Sequence, residues 1–310
     1  MVGLVCASII ILMNGLNFGE TITEIYFLNF ASVFQTLFPM IFVGSLLAQL
    51  YVKSGAVDVI ANTLSGLLFK QESHDIKKYR SAILAIVISS GFISYCGINS
   101  AVVLIAMYPI ALRIMEKANI PKKYVMGIIT GGVYTFALTG PGSTELLNVI
   151  AMQIMGTAST AGLVAGFAAI AMEIMMITVI LSKMIKKSVD KGERFAYGPK
   201  DYISEENKKL PNIWFTLIPL LVLVLSFNIL SLNIVTASII GYLTACVLLW
   251  KYVGGASSII AGFPEGGTMA FIPTGSIASV LGFSAVIRSL PVFDTLMNSV
   301  FSLEVAPALI

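Results

Sequence analysis

The residues with the most chemical potential lie between Phe136 and Asn148, which read Phe-Ala-Leu-Thr-Gly-Pro-Gly-Ser-Thr-Glu-Leu-Leu-Asn inside an otherwise apolar run from Val125 to Met155. Gly140, Pro141 and Gly142 interrupt a helix there, because proline has no amide hydrogen and glycine loses the most backbone entropy. Ser143 or Thr144 can cap the helix that restarts. Amides at such a start, backed by the positive end of the helix dipole, suit a carboxylate. Thr139, Gly140, Gly142, Ser143 and Thr144 are therefore candidate anion-binding residues. Glu145 falls at the second position of the restarted helix. It either complements the dipole or handles a proton, and a fixed carboxylate there repels an anion unless protonated. A loop joining two short helices outside a membrane is the plainer alternative.

Glu173 is the second carboxylate of interest. It precedes Lys183 by ten residues, about 15 Å of helix, and so falls near the centre of a span. Gly162, Gly166 and Ala169 share its face, and the Gly162–Gly166 pair lets a neighbouring helix approach. An intramembrane carboxylate is costly and marks a functional site by default. Proton relay is the chemistry expected of Glu173, with a neutral packing role as the alternative. Further polar groups come from Ser94-Tyr95-Cys96-Gly97-Ile98-Asn99-Ser100, of which Gly97, Asn99 and Ser100 are candidate ligands. Cys6, Cys96 and Cys246 lack metal-ligand spacing, and the lone His74 sits in a basic loop. Neither a metal, a cofactor nor an enzyme reaction is expected. No zinc-protease, phosphate-loop or serine-hydrolase motif is present.

The elements that position these groups must be membrane helices. Of 310 residues, 57% are hydrophobic and 11% charged, against about 25% charged in soluble domains, and the mean hydropathy is +0.92. The net charge of +3 is small and the basic residues gather in loops, which argues against nucleic acid as a partner. Spans are expected over Ile25–Val52, Thr160–Ser182, Pro211–Leu230, Leu232–Trp250 and Thr268–Ile287. Met1–Leu16 reads as a further span, possessing neither the positive start nor the cleavage site of a signal peptide.

Basic loops at Lys70–Arg80, Arg113–Lys123 and Lys183–Lys209 mark the cytoplasmic side, which puts the acidic Asn17–Glu24 loop outside. Ser81–Leu112 lies between two basic loops and must leave on the side it enters. Its arms of about 16 residues give roughly 24 Å of helix against a core of about 30 Å, which describes a re-entrant hairpin. Two tightly joined short spans are the alternative. Ser54–Phe69 carries Val57, Ile60, Leu64, Leu67 and Leu68 at helical spacing and suits an amphipathic helix along the interface.

A weak internal repeat is visible. Leu46-x5-Val52-Lys53-Ser54-x2-Val57 matches Leu281-x5-Ile287-Arg288-Ser289-x2-Val292, and Asp58-x3-Asn62 matches Asp294-x3-Asn298 after a one-residue slip. The loop charges put Lys53 inside and Arg288 outside, as an inverted repeat requires. Chance similarity between apolar helices is the competing explanation.

These features together resemble the gluconate permease (GntP-type) family of ion-coupled organic-anion transporters. The carrying residues are Gly44-x9-Ser54-Gly55, the hairpin followed by Met107-Tyr108-Pro109, the Pro141-Gly142-Ser143 break with Asn148, Met155-Gly156-Thr157, and Lys191-Gly192-Glu193. The Pro-Gly-Ser break is closer to the branch suspected of carrying short hydroxy-acids than to sugar-acid carriers. Glu145 stands where that branch usually has an uncharged amide. Gly97-Ile98-Asn99-Ser100-Ala101-Val102 resembles a tip that relatives repeat in a second hairpin, for which Ile310 comes too early. The resemblance therefore implies that the chain lacks a C-terminal part.

The expected fold is an all-α polytopic membrane protein of about seven spans, an incomplete inverted repeat with a re-entrant hairpin and a broken helix. Residues 1–182 form the first half, with the hairpin at 81–112 and the broken helix at 125–155. A cytoplasmic loop at 183–210 follows, then the truncated second half at 211–310. The expected function is proton-coupled symport of a small organic anion, gluconate-like or a short hydroxy-carboxylate, across the cytoplasmic membrane. Glu173 leads as coupling carboxylate, with Glu145 beside it. A sodium/proton antiporter, which needs carboxylates at the site, and a non-transporting membrane subunit are the alternatives. Lipid, the anion and a proton are the expected partners, with a second copy or a missing C-terminal half as further ones.

Overall fold

The computed structural model of the chain describes residues 2–69, 75–199, 201 and 209–301. His74 and part of the polar connection after Glu193 lie outside them. Among the described residues every regular element is helical, and the chain is a multi-pass membrane protein. Four helical runs are long and apolar enough to cross a membrane: Phe18–Ser54, Leu163–Asp190, Ile234–Val253 and Ala256–Arg288. The expected count of about seven is reached only with shorter apolar helices, among them Val2–Met13 and Ile213–Asn228. The latter, at 16 residues, is about 24 Å long.

The chain divides into two compact units, one of residues up to Phe42 and from Thr268 onward, the other Val43–Gly267. In the first, α1 (Val2–Met13) is followed by a single turn α2 (Phe18–Glu20), a wide π-helical turn Thr21–Phe27 and the start of α3 (Leu28–Ser54). The expected acidic loop is thus helical from Phe18, capped by the Asn17 side chain, which accepts from Glu20 N. Phe30, Phe34, Phe38 and Phe42 recur every fourth residue and stack along one face, as helical spacing dictates. Tyr26 OH meets Ser279 Oγ at 2.8 Å in a buried contact.

The second unit holds α4 (Ala56–Leu68), α5 (Asp75–Tyr95), α6 (Ser100–Ala118), α7 (Val125–Thr139), α8 (Leu146–Met155), α9 (Leu163–Asp190), α10 (Ile213–Asn228) and α11 (Ile234–Val253). At its centre α5 packs against α4, α6, α7 and α9. Small residues permit this: a Cβ on Gly132 would stand 2.3 Å from Val87 O, and one on Gly91 would meet the Phe136 ring. Lipid offers no hydrophobic drive between helices, so such close backbone approach is what holds them together.

Three expectations change here. The hairpin arms are 21 and 19 residues long, not about 16, because the basic flanks at Lys77–Arg80 and Arg113–Lys117 continue the helices. They measure about 31 and 28 Å, so length alone does not make the hairpin re-entrant. In α4, Val57 and Ile60 are buried against neighbouring helices while Leu67 is 70% exposed. Its apolar face serves the unit's own packing. The expected span Thr268–Ile287 is the second part of a 33-residue helix α12 (Ala256–Arg288), whose helical run includes Pro264. The last helix is α13 (Pro291–Phe301). Both copies of the sequence repeat fold alike, as a long helix end, a tight turn and a short amphipathic helix, α3–α4 and α12–α13.

The connection after α9 is strapped to the α6–α7 turn. Asp201 accepts from Lys122 Nζ at 2.6 Å, from Tyr108 OH at 3.1 Å and from Gly198 N. Lys123 pairs with Glu193, Tyr197 OH donates to Glu116 at 2.7 Å, and Phe195 N donates to Asn119 Oδ1 at 3.2 Å. The Lys122 ammonium bonded to it holds the Asp201 carboxyl below its usual range.

Candidate functional site

Two helix breaks cross in the second unit: Cys96–Asn99 between α5 and α6, and Gly140–Glu145 between α7 and α8. Both arise locally, from Gly97 at φ +87° and Gly142 at φ +75°, conformations that cost other residues energy. The crossing is close. A Cβ on Gly97 would stand 2.8 Å from Thr144 Oγ1. Tyr95 O accepts from both Thr144 N and Thr144 Oγ1 at 3.1 Å, and Tyr95 OH donates to Pro141 O at 2.7 Å. Gly44 lies beside Gly97.

The restarted helix begins at Leu146, and its cap is Glu145 itself. This differs from the expected Ser143 or Thr144 cap with Glu145 inside the helix. Glu145 has extended backbone, and its Oε2 accepts from Leu147 N at 2.7 Å while Oε1 accepts from Ser100 Oγ at 3.2 Å. The carboxylate is 5% exposed and so occupies the place expected for a substrate anion. A hydrogen bond to a charged carboxylate contributes about 1.5–3 kcal/mol, and Glu145 accepts one from the helix start and one from Ser100. Four amides of the break also have partners: Gly142 N on Ser159 O, Ser143 N on Gly140 O, Thr144 N on Tyr95 O, and Glu145 N on Ser143 Oγ. Asn148 Nδ2 ties the break down by donating to Ser143 O at 3.2 Å.

Glu173 joins the same cluster from α9. Thr139 Oγ1 is 3.1 and 3.2 Å from its two carboxylate oxygens. The small-residue face accounts for the approach, since a Cβ on Gly166 would meet Pro141 Cδ and Thr139 O within 3 Å. Gly162 plays no such part: it caps α9 at φ +65° with nothing nearby. Glu173 is half-buried and borders a wide-open, mostly apolar cavity of about 640 Å³ lined also by Gly131, Tyr134, Thr135, Leu138 and Met176.

The structure thus brings Gly97, Ser100, Thr139, Gly140, Gly142, Ser143, Thr144, Glu145 and Glu173 into one region, with Asn99 beside them at the turn. Cys96, at the tip of the hairpin, is 3% exposed. Sequence reasoning missed Tyr95, Ser159 and Asn228. Asn228 Nδ2 donates to Gly142 O at 2.9 Å across 86 residues of chain, and its only sequence signal is a polar residue at the end of an apolar run. No group of three or more potential metal ligands occurs among the described residues.

A 136-residue stretch is 29% identical to an uncharacterized transporter, YxjC, of Bacillus subtilis (strain 168), covering 44% of this chain and 27% of that protein. The matched part is therefore about a quarter of the relative's length. No solved structure matches. Residues 1–263 match the GntP family permease as a family. The chain belongs to the GntP family of permeases.

Proposed function

We propose that this chain carries a small organic anion, gluconate-like or a short hydroxy-carboxylate, across the cytoplasmic membrane together with a proton. The observation behind this reading is the Glu145 carboxylate seated at the start of α8 and bonded to Ser100 where the two breaks cross. A proton taken up by Glu145 removes its charge and frees the Leu147 amide and the Ser100 hydroxyl. The substrate carboxylate takes the same donors. The site then carries one negative charge whether empty or loaded, so neither form adds a second buried charge to the membrane's cost. Release of substrate lets Glu145 return its proton and reoccupy the donors. Glu173, held by Thr139 beside the 640 Å³ cavity, passes the proton between the break and water. The hairpin α5–α6 enters and leaves on the basic side in this reading, with Gly97–Ser100 as the moving wall of the site.

The test is uptake by the full chain in proteoliposomes, with radiolabelled gluconate and 3-hydroxybutyrate as probes. An acid-outside gradient should drive accumulation of one of them, and a protonophore should abolish it. Uptake unaffected by the gradient, or none of either probe, contradicts the reading. Two carboxylates at one crossing also favour a second reading, a sodium/proton antiporter. In that case a sodium gradient applied to the same liposomes acidifies or alkalinises their lumen without organic anion.

A further inference from the structure

The Gly140–Glu145 break has a second side, away from the hairpin tip. Both backbone polar groups of Gly142 are held there: its N–H donates to Ser159 O at 2.7 Å, and its carbonyl accepts from Asn228 Nδ2 at 2.9 Å. The same Nδ2 also donates to Val224 O at 3.0 Å, while Asn228 Oδ1 is buried without a hydrogen-bond partner. That oxygen lies 2.7 Å from where a Cβ on Gly142 would stand. α10 therefore ends in direct contact with the break through one amide side chain.

Two cavities share Met152 and Thr157–Ser159 as a wall. One, of about 300 Å³, reaches Thr139, Gly140 and Asn148. The other, of about 420 Å³, is bordered by Thr160, Asn228, Ser231 and Asn233. Hydroxyls and amides supply their polar groups, and among the described residues no charged side chain lines either one. Their position along the helices is informative. α9 leaves this level at Leu163 and ends at its basic terminus near Lys187, while α10 starts after Lys209 and arrives here at Asn228. Both ends lie opposite the basic loops, which places them away from the cytoplasm.

We propose that this uncharged cavity pair is the route by which a small hydroxylated acid reaches the break from the non-cytoplasmic side, and that Asn228 is the positioning residue that closes it onto Gly142. The proposal rests on the transport reading above. Neutral donors and acceptors solvate the hydroxyls and carboxylate of such a solute without a fixed cation to trap it. The unpartnered Asn228 Oδ1 can accept from a substrate hydroxyl as the latch to Gly142 opens.

The experiment uses the full chain with its native cysteines in place. Ser159→Cys is treated with a membrane-impermeant methanethiosulfonate in right-side-out and inside-out vesicles. Labelling of position 159 is read by peptide mass, and uptake of radiolabelled 3-hydroxybutyrate and gluconate is compared with that of the identically treated parent. Labelling is expected only in right-side-out vesicles, with uptake of the transported probe reduced at least about tenfold relative to the treated parent. Asn228→Ala, which loses the bond to the buried Gly142 carbonyl together with the one to Val224 O within its own helix, should raise KM about tenfold with the maximal rate nearly unchanged. A purely structural asparagine would lower the maximal rate through loss of folded protein and leave KM alone. Labelling in inside-out vesicles, labelling without effect on uptake, or an unchanged KM in Asn228→Ala overturns the proposal. A parent that takes up neither probe removes the transport reading and the proposal with it, an outcome distinct from an active parent whose labelled variant still transports.

Discussion

Glu145 and Glu173 both place a carboxylate at the same helix break, but in unlike surroundings. Glu145 is 5% exposed and fastened at both oxygens, by the start of α8 and by Ser100. Glu173 is half-buried, bonded to the single hydroxyl of Thr139, and open to a cavity. A carboxylate held by the donors an anion would need is suited to exchange with that anion. One held loosely at a cavity wall is suited to move a proton. The sequence, through an expected depth near the centre of a span and a small-residue face, points to Glu173 as the coupling group, whereas the proposed mechanism divides the work between the two carboxylates.

The largest expected effect comes from Glu145→Gln. With one proton per anion, a gradient of about two pH units sustains roughly 100-fold accumulation, since about 1.4 kcal/mol is tenfold. The variant should reach equilibrium only, a ratio of about one, while still exchanging labelled for unlabelled anion. Persistent accumulation would reduce Glu145 to a helix cap. Glu173→Gln should slow gradient-driven uptake by about 100-fold, the scale of a lost proton-transfer group, and leave the pH dependence of substrate binding as in the parent. A shifted binding profile would erase the division between the two carboxylates.

How far the sequence could foresee this follows from the range of each interaction. The break at Gly140–Gly142 and the tip at Gly97 are legible because glycine and proline act on their own backbone. That a neighbouring helix approaches the Glu173 face of α9 is legible through Gly166, whose small size has meaning only at a helix contact; that the break and Thr139 are what it meets is not. Glu145 as the cap was not, since Ser143, Thr144 and Glu145 can all cap and the choice depends on where Tyr95 O and Ser100 Oγ arrive. Asn228, Ser159 and Asp201 escaped for the same reason, because each bonds a partner on a distant segment. Gly162 erred the other way: the GxxxG spacing suggested packing, but the structure uses that glycine for a positive φ.

The two breaks can also be compared with a bulky probe. Gly97→Val forces a side chain into φ +87° against Thr144 and should cost about 2–4 kcal/mol through strain and overpacking, read as a lower melting temperature. Gly156→Ala, at φ +62° with open space around it, should cost only about 1 kcal/mol. Equal losses would mean that the crossing is not tight.

The smallest effect is expected where the connection after α9 is strapped to the α6–α7 turn. Asp201→Asn removes the Lys122 pair, and trypsin should then cut after Arg194 faster, with little change in uptake. The Asp201 carboxyl is held below its usual range by Lys122, so the pair contributes above the unfolded carboxyl's range and is lost as pH falls through the lowered folded value. Lys122 is held above its usual range by the same bond to Asp201, so its contribution is lost only as pH rises through that raised value. Trypsin sensitivity should therefore stay flat across neutral pH, and a transition near pH 7 would point to another group.

Proton uptake on binding tests the exchange at Glu145 most directly. Purified protein in lightly buffered detergent solution is mixed with the transported anion, and the pH change is recorded against calorimetric occupancy. Parent protein should take up close to one proton per anion bound at a pH where Glu145 is ionised, and Glu145→Gln should bind the anion with none. Equal proton uptake by both, or binding by the parent without any, would contradict the claim that substrate and the Glu145 carboxylate share one set of donors.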